Sequence, residues 1–219
     1  MTAPYGFKFA RSFDGSSTAA VKILPVSSPG TGGIAVGDPV TISSGYAKCA
    51  VGGDPVFGVC VAVSKTTGAT QTPIPAGGAL TNATDPATTV LATGDTGYVA
   101  VVVADNALFE SVYIGITEGG TAPTYVAAIG SSADIGNYAS GTAATFDAAA
   151  AHIGGGFSKL GVTTDGTGPN SDVTIQGVLA AGGSLSTRSL PTTYPKTSGS
   201  VTAGDVLLVS FQSVQFNPV

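Results

Sequence analysis

The chain has 219 residues and a net charge of −5, and only 10% of its residues are charged, where an average soluble protein has roughly 25%. Its eight lysines and arginines form no cluster, which removes the concentrated positive charge that phosphate binding needs, so nucleic acid is not an expected partner. The longest apolar run, Tyr98 to Ala104, is far short of a membrane span, so no membrane partner is expected either.

In chain order, Met1 to Phe9 lacks the long apolar stretch of a signal peptide, and a cytosolically made soluble product is the default. Residues 1–19 are expected to form an N-terminal arm, with a strand signal over 6–13. Tyr5, Phe7, Phe9 and Phe13 make an aromatic alternation with two readings, a contact surface reaching another subunit or an ordinary core-facing strand.

Residues 20–104 are expected to form a first β module. Short Val/Ile/Phe/Tyr/Thr runs bounded by Gly, Pro, Asp and Ser predict strands near 20–26, 39–43, 45–51, 56–64, 88–91 and 96–104. Gly-Asp-Pro-Val occurs at 37–40 and again at 53–56, and Gly204-Asp205-Val206-Leu207 opens the last strand. In each, glycine permits an unusual backbone angle and the aspartate closes a turn onto nearby N–H groups. A hairpin centred between Asp54 and Pro55 would set Cys49 opposite Cys60. Cross-strand disulfide geometry is demanding and a cytosolic product stays reduced, so two small buried thiols are the favoured outcome. Thr66 to Pro86 is rich in Thr, Pro, Gly and Ala and reads as a long loop or arm.

Residues 105–219 are expected to form a second β module that includes the C-terminal strand, and the two modules are equally compatible with one continuous β domain. Strands are predicted near 108–114, 124–129, 158–163, 171–179 and 206–216. Asp147 to Ile153 is the one stretch with the propensity for a helical turn, stopped by Gly154-Gly155-Gly156. Gly182 to Ser200 reads as a second arm. Phe211 and Phe216, at the end of the chain, share the two readings given to the N-terminal aromatics. The expected fold class is all-β: antiparallel β-barrel or β-sandwich modules with long loops or arms and at most one short helix.

Chemistry is hard to nominate. A Ser-His-Asp or Cys-His arrangement needs a poised imidazole, and the single histidine, His152, sits among alanines and glycines with no Gly-x-Ser-x-Gly signature elsewhere. One histidine and two cysteines cannot close a four-ligand zinc site, no Gly-rich segment ends in Gly-Lys-Ser/Thr, and Glu110 and Glu118 are the only glutamates. No catalytic, cofactor-binding or metal residue is therefore named, and the chain is expected not to be an enzyme.

Gly37-Asp38-Pro39-Val40, the short strand through Tyr46 to Ala50, and Gly53-Asp54-Pro55-Val56-Phe57-Gly58-Val59 resemble a pattern in tailed-phage capsid decoration (cement) proteins. So do Val101 to Glu110, Ile129-Gly130, Asp134 to Tyr138, Phe157 to Leu160 and the closing stretch Val201 to Phe216. The resemblance implies a bacteriophage virion structural protein, a homo-oligomer (dimer or trimer) docked on the outer surface of the capsid. There it would bridge neighbouring copies of the major capsid protein. Tyr5, Phe7, Phe9, Phe13, Phe211 and Phe216 are the expected interface residues. The competing expectation is a head-fibre or carbohydrate- or receptor-binding β module, against which the absence of tryptophan weighs.

Overall fold

The computed structural model describes residues 6–27, 33–50, 53–65, 90–116, 121–139, 142–145, 158, 160–164, 172–181, 183 and 198–215. The loop expected at 66–86, the helical turn expected at Asp147 to Ile153, and most of the arm expected at 182–200 lie outside them.

The first sheet takes β2 (Val21–Val26), β4 (Pro39–Ser43), β5 (Tyr46–Cys49), β6 (Gly58–Lys65) and β8 (Gly97–Val103), all antiparallel, in the order β2-β8-β6-β4-β5. Strand β8 lies inside this sheet and is buried on both faces, which is why its sequence is a continuous Tyr-Val-Ala-Val-Val-Val run. One face, with Val40, Cys49, Cys60, Val99 and Val101, closes over its own core; the sheet curls so that its two edge strands approach each other. A small pair, β3 (Ile34–Ala35) with β7 (Val90–Leu91), adds the fully buried Ile34 and Leu91 to that core.

The second sheet is built from β1 (Lys8–Ser12), β9 (Ala107–Ile116), β10 (Ser132–Ala139), β11 (Thr142–Thr145), β12 (Leu160–Thr164), β13 (Val173–Ala180) and β14 (Val206–Phe211). Because β9 pairs with both β12 and β14, the circuit β9-β12-β10-β13-β14-β9 closes into a five-stranded barrel. An odd circuit cannot alternate direction throughout, and the single parallel pair, β12 with β9, is where that is resolved. Residues paired across the barrel share its interior: Phe109, Val209 and Ile175 at one level, Tyr113, Val162 and Ile135 at another.

The two sheets are not separate bodies joined by a linker. Val56, Val59, Val102 and Ala104 from the first share one buried cluster with the barrel interior. Strand β1 is not a free arm, since it pairs with β9 from Lys8↔Glu110 to Ser12↔Ala107.

Three Gly-Asp sites fold into the same turn. In Ala35 to Asp38, Ala92 to Asp95 and Thr202 to Asp205, the aspartate N–H donates to the carbonyl three residues back, at 3.1, 2.9 and 3.0 Å. The carboxylate accepts the N–H of that same residue, at 2.7, 2.9 and 2.9 Å. Gly37 and Gly204 hold φ of 96° and 100°, the left-handed angles that the third turn position demands. The turn chemistry expected from Gly-Asp is realised at Gly37-Asp38 and Gly204-Asp205; at the second Gly-Asp-Pro-Val, the Gly53 N–H donates to the Asp172 carboxylate instead.

Two local expectations are corrected. Residues 124–129 are not a strand: Tyr125–Ala128 forms a one-turn helix, α1, because the Thr124 hydroxyl accepts from the Ala127 N–H and caps it. The hairpin about Asp54-Pro55 does not bring Cys49 and Cys60 face to face. β4 lies between β5 and β6, with Cys49 opposite Val40 and the Cys60 N–H bonded to the Asp38 carbonyl. Two strand spacings of ~4.8 Å put the cysteines about 10 Å apart, beyond disulfide reach. Both are buried free thiols, as favoured.

Candidate functional surface

Among the described residues no three His, Cys, Asp or Glu side chains gather in a way that could hold a metal ion. Burial, with a further push from Asp38, raises both cysteine thiols well above their ordinary range, which removes thiolate character from Cys49 and Cys60. His152 lies outside the described residues.

The densest polar group is structural. Asp205, fully buried, accepts from the Tyr125 hydroxyl at 2.6 Å and from the Thr202 N–H at 2.9 Å. Burial and that carboxylate push the Tyr125 phenol up to about 12. The network fastens α1 to the turn that starts β14, and the same turn is ladder-bonded to Tyr113 of β9 through Gly204 N–H and Asp205 C=O.

The six aromatics expected to make contacts separate into three groups. Phe7 and Phe211 are buried, their ring centroids 5.2 Å apart, and Phe109 adds an edge-to-face contact with Phe211 at 5.3 Å. Phe9 is half-buried against Phe109 at 6.3 Å. For these three the core-facing reading holds: pairing β1 with β9 sets Phe9 against Phe109, and Phe7 and Phe211 are buried in the same cluster. Phe13 is 55% exposed in the turn that follows β1. Tyr5 and Phe216 lie outside the described residues.

Sequence reasoning missed the other exposed apolar side chains. Val21 and Ile23 stand out from β2 at 53% and 47% exposure. Their cross-strand partners are Val102 and Ala100, and Val102 belongs to the cluster shared with the barrel, so Val21 and Ile23 continue that covered face to where cover ends. Val126 and Ile129, on and just after α1, are 76% and 58% exposed. The period-2 reading of 124–129 concealed them, since a capped helical turn directs Tyr125 and Ala128 inward and Val126 outward.

These residues lie on separate elements, the turn after β1 with β2 on one hand and α1 on the other. The Phe13 N–H bonds to Asn106 C=O just before β9, whereas α1 is anchored through Asp205 to Tyr113, seven residues further on. Comparison with known proteins finds no matching protein family, no matching curated sequence and no matching solved structure.

Proposed function

We propose that this chain is a non-enzymatic structural component of a phage-like virion. It binds the outer face of the capsid as a small homo-oligomer and ties neighbouring major capsid subunits together. The observation that carries the proposal is the set of exposed apolar side chains on separate elements: Phe13 after β1, Val21 and Ile23 on β2, and Val126 and Ile129 on and just after α1. Each group is too small for a standard interface of ~800 Å² per partner. Two small contacts on one body serve a clamp, because the second engages at the high effective concentration set by the first. A low charge density adds little repulsion to close packing on a lattice.

The test is thermal. Particles stripped of the protein should release their genome at a lower temperature than particles carrying it, and adding the purified protein back should restore the difference. Failure of the protein to bind emptied shells ends the proposal, and a glycan-array hit in its place would favour the receptor-binding module.

A further inference from the structure

The C-terminal segment makes an unusual connection. After β14 the Gln212 N–H bonds to Asp172 C=O and its amide side chain reaches Ser132 Oγ and Val173 C=O, so the chain is fixed to the barrel up to that residue. The next three residues cross to the other sheet. Ser213 C=O accepts the Val56 N–H at 2.8 Å, Val214 bridges Val56 in parallel, and the Gln215 N–H returns a bond to Val56 C=O at 2.9 Å.

The Gln215 side chain then completes a strand edge. β6 pairs with β4 only at Pro39 and Val40, so the backbone groups of Ile42, which point the same way as those of Val40, lie past the end of that ladder. Gln215 Oε1 accepts the Ile42 N–H at 2.7 Å and the Thr41 hydroxyl at 3.2 Å, while Nε2 donates to Ile42 C=O at 2.9 Å. One carboxamide thus supplies the donor and the acceptor that a neighbouring strand would supply. An edge without such a partner is a template for pairing with another chain.

We propose that residues 213–215 are a releasable strap: closed, it fastens the first sheet to the barrel and covers the edge at Ile42 and Val56. Released, it leaves a folded chain whose open edge pairs with an extended segment of a second copy. Among the described residues the strap is held by backbone and amide bonds, with Val214 its one apolar side chain packed on the core, so it opens well below the cost of opening the barrel.

The full-length Gln215→Ala chain tests this by amide hydrogen exchange and by light scattering over a concentration series. The Ile42 and Val56 amides should exchange about tenfold faster than in the unsubstituted chain, with Tyr113 and Ile175 unchanged. The mass should rise with concentration above that of the unsubstituted chain. Acceleration of Ile42 alone, or of the barrel amides equally, overturns the strap; faster exchange without a rise in mass overturns the pairing edge. In the unsubstituted chain under mild urea, Ile42 and Val56 should exchange before the barrel does, which decides the matter even if the variant does not fold.

Discussion

At Tyr125 a single hydroxyl joins a one-turn helix to a buried carboxylate. Tyr125→Phe keeps the ring in the core but withdraws one donor from Asp205, which still holds Thr202. The expected cost is about 1–2 kcal/mol in urea unfolding at neutral pH. The pH dependence has a definite sign. The phenol ionises at 10.0 in the unfolded chain but only at about 12 when folded. Below pH 10 both states hold the proton and the contribution of Tyr125 is complete. Between about 10 and 12 the unfolded chain gives up its proton while the folded chain keeps it, so the contribution drains away. Melting temperatures of the native and Tyr125→Phe chains should therefore converge over that window, and a constant gap would show that the phenol is not held by this network.

The three Gly-Asp turns allow the same comparison among elements, because one geometry occurs in three settings. Asp38 and Asp205 are fully buried, whereas Asp95 sits in a turn whose Ala92, Thr93 and Gly94 are exposed. Removing Asp38 strands the buried Ala35 N–H, and removing Asp205 strands Tyr125, so Asp38→Ala and Asp205→Ala should each cost about 2–3 kcal/mol. Asp95→Ala, whose Ala92 N–H can turn to water, should cost less than about 1 kcal/mol by the same denaturation measurement. These turns were legible because glycine and aspartate encode them locally, and the strands they open were placed from the same signal at 39–43 and 206–216, the second ending at Phe211 in the fold. Strands β10 and β11 were not legible: Ser132-Ala-Asp-Ile-Gly-Asn-Tyr-Ala carries turn-forming residues and little alternation, and its extended form rests on ladders with β11, β12 and β13 contributed by distant sequence. The cysteine hairpin failed for a related reason. Symmetry about Asp54-Pro55 is a local property, whereas the choice of β4 as the shared neighbour depends on the whole sheet. Of the candidate surface, only Phe13 was legible; exposure at Val21 and Ile23 follows from where the barrel's cover stops, which no local pattern encodes.

For the whole molecule, the shared core joins the two sheets in one body, and a clamp needs its contacts held on one body. If the contact groups moved independently, the effective concentration of the second contact would fall and the advantage of joining them would go with it. Phe13→Asp and Val126→Asp place a charge in one group or the other on side chains that are already exposed, so melting temperature should stay within a degree or two of the native value. Binding to emptied capsids, measured by co-sedimentation, should respond differently. Each substitution alone should weaken retention by about tenfold or more, because losing either group turns a two-point attachment into a single weak one. The double variant should lose retention altogether, since it removes the one weak contact that each single variant keeps. If instead either single variant is retained as well as the native chain and only the double variant is lost, the two groups act as separate contacts without a common clamp. If neither substitution alters retention, these exposed apolar groups are not the contacts.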